Sequence, residues 1–272
     1  MIRPPFSLLQ ESRTRLLGID MHAVVLKQEA GAAGQAQNDG GDPQQGTVFV
    51  LVHGLGMSGR YMMPSAEALA PHAMVHVVDL PGFGQSGTPE KVLNIPGLAD
   101  ALAAWMESNR VIRPCLLGNS LGAQVIADFC ARHPGRVSSA VLISPTIDSG
   151  SRRFFTQLFR LMQDMFLEPP ALVLTGIIDY FRAGFRRTAR TLSHALADPV
   201  EEKLPLITVP VLLVRGVHDP IVPQDWMEEI HRLIPCSRLV QVRNAAHAVN
   251  FSHPEELTAE ILDFLRDHGL HP

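Results

Sequence analysis

With 272 residues, 46% hydrophobic and 18% charged, the chain has enough apolar material for a substantial core, in one large domain or two modest ones. A net charge of −4 argues against a general nucleic-acid binder. The three cysteines are an odd number, and Cys115 and Cys130 fall on faces expected to be buried. A disulfide framework is therefore not expected, and a reducing, cytoplasmic location is.

Residues 1–15 carry early arginines but lack the sustained apolar run and small-residue cleavage site of a secretory leader. No stretch approaches the roughly 18–20 apolar residues of a membrane span. The nearest, 171–178, is broken by Thr175 and Gly176, and no membrane partner is expected. Residues 1–17 read as a loosely held arm. Met21, Ala23 and Val25, alternating with Asp20 and His22 over 19–27, suggest an edge strand. Residues 28–45 are rich in Gly, Ala, Gln and Asn without apolar periodicity, as in a long mobile hairpin loop.

From residue 47 the pattern changes. The runs 47–52, 74–78, 115–117, 140–143 and 211–214 are continuously apolar and rich in branched side chains, which suits strands buried on both faces. Helical spacing lies between them, as in Ile95, Leu98, Leu102 and Trp105, and this alternation predicts a mostly parallel sheet covered on both sides. Over 145–204 the rhythm stops. Phe155, Leu158, Phe159, Met162 and Phe166 follow helical spacing, Pro169-Pro170 breaks the chain, and the segment reads as a helical lid. A last strand over 238–242 and a last helix opening at Pro254-Glu255-Glu256 complete the chain.

The chemistry centres on Gly118-Asn119-Ser120-Leu121-Gly122, where a strand turns abruptly into a helix through G-x-S-x-G, the pattern of a nucleophile elbow. A serine hydroxyl needs a neighbouring imidazole to take its proton, and the imidazole needs a carboxylate to fix its tautomer. Asp219, in the loop after the 211–214 strand, is the acid candidate, with Asp148 as its rival. His247, between the last strand and the last helix, is the base candidate among 12 histidines, and His53 suits an orienting role. His72 and His76 are four apart, but His76 lies in a strand pattern, so no metal site is expected. The Leu121 N–H at the helix start and the Leu55 N–H in the turn His53-Gly54-Leu55-Gly56 are candidate oxyanion donors.

Taken in this order, these segments resemble the α/β-hydrolase superfamily, in its lidded, cofactor-free branch, from about residue 47 to 268. The resemblance implies an α/β fold with a mostly parallel central sheet flanked by helices and a helical lid (145–204) inserted after the sixth strand. The core domain would then come in two parts, 18–144 and 205–272. It further implies Ser120 as nucleophile, His247 as base, Asp219 as orienter, Leu55 and Leu121 as oxyanion donors, and no cofactor or metal. Ser120 sets the chain apart from the dehalogenase and epoxide-hydrolase branches, which carry an Asp at the elbow.

Asn119 before the serine is similar to the Gly-Asn-Ser-Met-Gly elbow of the meta-cleavage C–C hydrolases, and is placed at the substrate. Those enzymes usually carry a Trp where this chain has Ala248, and a more glycine-rich oxyanion turn. Carboxylic-ester hydrolysis through an acyl-enzyme is therefore preferred. Hydrolysis of a 2-hydroxy-6-oxo-dienoate comes second, and a non-catalytic ligand-binding member is the alternative of another class. The segment 150–203 carries eight basic and six acidic side chains. Because the C–C hydrolases use a lid arginine in the site, Arg186, Arg187 and Arg190 are candidates to clamp a substrate carboxylate. The expected partner is a small molecule, with a homodimer as the assembly to test.

Overall fold

The computed structural model describes residues 9–16, 18–27, 47–148 and 150–271. The loop expected over 28–45 lies outside the described residues. Eight strands form one sheet in the order β1-β2-β4-β3-β5-β6-β7-β8. They are β1 (Gln10–Leu16), β2 (Ile19–Leu26), β3 (Val48–Val52), β4 (Met74–Val78), β5 (Cys115–Asn119), β6 (Ser139–Ile143), β7 (Val211–Gly216) and β8 (Ser237–Val242). The pairs β1/β2 and β2/β4 are antiparallel, and every pair from β4 to β8 is parallel.

The apolar runs make these strands because each residue finds a core on its own side of the sheet. Val50 and Val52 of β3, Leu116 of β5 and Leu142 of β6 face one apolar cluster, while Phe49, Leu51, Leu117 and Val141 face the other. On the first face lie α2 (Ile95–Ser108), α3 (Leu121–Arg132) and α8 (Gln224–Leu233), through Trp105, Phe129 and Trp226. On the second lie α1 (Met63–Leu69) and α10 (Pro254–Asp267), through Leu69, Leu257, Ile261 and Phe264. Fully burying such a side chain stabilises the fold by about 1.5–3 kcal/mol. The short α9 (Val249–Ser252) precedes α10.

Between β6 and β7 the chain leaves the sheet as α4 (Phe154–Asp164), α5 (Pro170–Ala183), α6 (Phe185–Ala197) and α7 (Val200–Lys203). This cap is fastened to the core through Asp179 of α5, which accepts from Ser58 Oγ at 2.6 Å and pairs with Arg60.

The arm expected over 1–17 is corrected by β1, which pairs along its whole length with β2, so that β2 is not the edge. Its inward positions are Ser12, Thr14 and Leu16, too polar to reveal a strand by alternation. The charged outer face suits an edge that must not recruit another strand.

Candidate active site

Four parallel strands deliver their following loops to one edge of the sheet, where open α/β sheets place their sites. After β5 the chain passes through Ser120 into α3, with Ser120 at φ 56° and ψ −118°. A left-handed serine costs on the order of 1–3 kcal/mol and holds the side chain clear of strand and helix. Only glycine fits on either side. A Cβ at Gly118 would sit 2.6 Å from the Gly122 carbonyl carbon, and one at Gly122 would sit 2.7 Å from the His53 carbonyl oxygen and closer still to that of Val52. The Leu121 N–H opens α3, where a helix's first donors have no intrahelical acceptor.

Asp219 and His247 follow β7 and β8. The His247 Nδ1–H donates to Asp219 Oδ2 at 2.9 Å. The other oxygen, Oδ1, accepts from the N–H groups of Ile221 (2.8 Å) and Val222 (3.0 Å), so the carboxylate cannot rotate freely. Burial alone would raise the Asp219 pKa, but His247 beside it holds it below the usual carboxylate value. The loop is itself clamped. Arg215 of β7, buried, donates to the carbonyls of Val222 (2.7 Å), Val217 (3.2 Å) and Asp219 (2.9 Å). The rival acid, Asp148, accepts from the Gly150 N–H and meets Arg160 at 3.4 Å instead.

His53 is fully buried, with Nδ1 2.8 Å from the Gly54 carbonyl and Nε2 accepting from the Leu80 N–H at 3.0 Å. These partners fix the neutral tautomer with its proton on Nδ1, and burial lowers its pKa. The ring thus braces the turn that carries Leu55. Gly56, at φ 73°, is needed there because a Cβ would lie 2.7 Å from the Tyr180 ring of the cap. His76 is buried in β4 and His72 is exposed, and no group of three metal-ligating side chains occurs among the described residues.

Ser120, Leu55, Leu121 and His247 line one cavity of about 420 Å³, with Leu161, Leu172, Val173 and Tyr180 of the cap on its opposite wall. Asn119, also on its wall, has both ends of its amide engaged. Oδ1 accepts from the Tyr61 hydroxyl at 2.7 Å and Nδ2 donates to the His247 carbonyl at 2.9 Å. It therefore positions the His247 loop from the cavity wall, where it was expected to stand.

The lid arginines stand outside the cavity, and the clamp on a substrate carboxylate expected of them is corrected. Arg186 and Arg190 are exposed, and Arg187 lies over Gly82, where a Cβ would come within 2.5 Å of its Nη1. None of the three lines the cavity. The face that α6 turns inward carries Thr188, Leu192 and Ala195, which leaves the arginines outside.

The cap supplies acids to the site instead. Asp164 Oδ1 accepts from the His247 N–H at 3.3 Å, and Glu168 Oε1 accepts from the Ala248 N–H at 2.7 Å. Both line the cavity, and Glu168 Oε2 is buried without a hydrogen-bond partner among the described residues. Burial pushes Asp164 up to about 6 and Glu168 up to about 7, the latter helped by the negative charge of Asp164. Burial would lower His247, yet Asp219, with Asp164 and Glu168 behind it, pushes it up to about 9. Sequence reasoning missed this pair. The signal available was two carboxylates, those of Asp164 and Glu168, set within an otherwise mostly apolar stretch just before Pro169-Pro170.

Residues 49–261 match the family described as "Alpha/beta hydrolase family". A pimeloyl-[acyl-carrier protein] methyl ester esterase of Neisseria meningitidis is 32% identical, the match covering 79% of this chain and 75% of that one. Its namesake from Aeromonas hydrophila is 29% identical, with 81% and 96% covered. Among solved structures, the enol-lactonase of Burkholderia xenovorans LB400 superposes with a TM-score of 0.76 at 20% identity, over 94% of this chain and all of that one (100%), a likeness of fold. No described helix is long and apolar enough to cross a membrane. With its sheet, its strained serine at the β5–α3 turn and the match over 49–261, the chain is a hydrolase and belongs to the alpha/beta hydrolase family.

Proposed function

We propose that this hydrolase cleaves an uncharged, largely apolar carboxylic ester through an acyl-enzyme. The observation that carries the reading is the His247–Asp219 hydrogen bond at the wall of a cavity that Ser120 also lines. Ser120 Oγ attacks the carbonyl carbon while its proton passes to His247 Nε2, and Asp219 holds the ring and stabilises the imidazolium. The N–H groups of Leu55 and Leu121 receive the oxyanion, an interaction worth about 10²–10³ in rate per donor in a well-studied hydrolase. His247 then protonates the departing alcohol, and water, activated by the same imidazole, releases the acid.

An uncharged substrate fits because Asp164 and Glu168 share the cavity wall and no arginine does. A dienoate carboxylate would meet those acids at close range, which disfavours C–C hydrolysis of the 2-hydroxy-6-oxo type. The names of the relatives, methyl ester esterases, support ester chemistry. Turnover of a short-chain nitrophenyl ester, lost in Ser120→Ala, tests the reading. Equal turnover by both proteins would refute it, and no turnover on a broad neutral-ester panel would favour a ligand-binding role.

A further inference from the structure

The cap is built inside out. The buried positions of α4 are Gln157 and Asp164, whereas Phe155 is 80% exposed, Phe159 61% and Met162 54%, and Phe166 just beyond the helix is 88% exposed. A helix packed on a globular core shows the reverse arrangement. The corner between α5 and α6 repeats the theme as Phe181-Arg182 and Phe185-Arg186 on either side of Gly184, with the two phenylalanines 83% and 84% exposed. Leu158, Met165, Ile177, Phe181 and Phe185 are exposed and also line the cavity, so the apolar surface runs up to its mouth. An exposed apolar surface of this extent marks an interaction site.

Along α4 to α6 the exposed charge has one sign. The acids within 154–197 are Asp164, Glu168 and Asp179, and all three are buried, held by the His247 and Ala248 N–H groups and by Ser58 with Arg60. The exposed charged residues of the same span are Arg182, Arg186 and Arg190. From this pairing of protruding aromatic side chains with unopposed arginines, we infer that the outer face of the cap docks on an anionic lipid surface. The apolar rim enters the acyl region and the arginines meet the phosphates. A second copy of the chain fits less well, because a twofold contact sets each patch on itself and brings like charges together. Hydrocarbon accepts protruding side chains of any shape, where a protein partner would need matching hollows. Docked in this way, the cavity mouth opens on the lipid, and an apolar ester reaches Ser120 without crossing water.

The test uses the full chain carrying Ser120→Ala, so that binding is read without turnover and its outcome does not depend on the hydrolase reading. Co-sedimentation should occur with vesicles of phosphatidylglycerol and phosphatidylcholine, weaken in high salt, and be much weaker with phosphatidylcholine alone. Arg182→Gln, Arg186→Gln and Arg190→Gln should each weaken it about fivefold. Phe155→Ser with Phe166→Ser should abolish it. In the Ser120 background these variants should turn over a water-soluble nitrophenyl ester like the parent, since none of the five residues lines the cavity. Three outcomes would overturn the proposal: no binding to either vesicle, binding unaffected by the five changes, or a sedimentation-velocity dimer that the phenylalanine changes dissociate, which would assign the face to a second copy.

Discussion

The sheet edge and the cap meet at one cavity but obey opposite rules. Around the sheet, apolar side chains turn inward and the chemical groups sit on tight, glycine-limited turns. Ser120 and the His53–Gly56 turn are each fixed by contacts with neighbouring backbone or a cap ring. In the cap, Asp164 at the end of α4 and Glu168 in the turn after it reach inward to His247 and Ala248, while phenylalanines and arginines stay outside. A site held by backbone geometry tolerates little change. One held by helix packing can be retuned by a single side chain, and the two carboxylates that stand behind Asp219 at His247 come from the cap.

The sharpest way to test this division is to remove the side chain proposed as nucleophile. Ser120→Ala or His247→Ala should each cost about 10⁵–10⁶ in kcat on a neutral ester, with the double variant little worse, because such residues act as a unit. Losses that multiply in the double variant would break the assignment. Next in size is Asp219→Asn, expected to lower kcat about 10⁴-fold by mis-setting the imidazole tautomer, while Asp148→Asn leaves it near the parent value. If Asp148→Asn were the more damaging change, the hydrogen bond between His247 and Asp219 would not be the functional one.

The difference between the regions also explains what could be read in advance. The elbow, the His53–Gly56 turn and the loops carrying Asp219 and His247 are local patterns, and a local backbone requirement leaves a local trace such as Gly118 and Gly122 flanking Ser120. The β1 strand left none, because its inward residues Ser12 and Thr14 are polar and its order comes from pairing with β2. The Arg215 clamp was hidden likewise, since its partners are three carbonyls, which no side-chain pattern announces. Helical spacing in the cap was visible, but periodicity gives a face and not its direction. Supposing an arginine inward placed the wrong sign of charge in the cavity. The chain set Asp164 and Glu168 there instead.

Glycine positions sharpen the sheet side of the comparison. Gly122→Ala forces a Cβ against the carbonyl oxygens of Val52 and His53, both on backbone that cannot yield cheaply. A loss of about 1–3 kcal/mol is expected, or roughly 2–5 °C in Tm for a domain of this size, together with loss of turnover. Gly176→Ala on α5 is the control, because it has no positive φ and its Cβ would make only an ordinary contact, 3.7 Å from Met57 Sδ. Equal Tm shifts would show that crowding at the elbow is not what Gly122 relieves.

The smallest effect expected is the most specific to the cap. With His247 pushed up to about 9, the proposed base is mostly protonated at neutral pH, so kcat/KM should rise with pH through the alkaline range. Glu168→Gln keeps an oxygen for the Ala248 N–H but removes a negative charge that favours the imidazolium. The His247 pKa should therefore fall. The rising limb should move to lower pH, and kcat/KM at pH 8 should increase severalfold on a neutral ester. The change should be weaker below pH 7, where Glu168 itself takes up a proton. On an ester bearing a carboxylate, the same substitution should help more than on the neutral one, since it also removes a like charge from the wall. A limb that stays in place, or moves to higher pH, would mean that Glu168 does not act on His247. The cap would then only cover the cavity, and charge preference would have to be sought on the sheet edge.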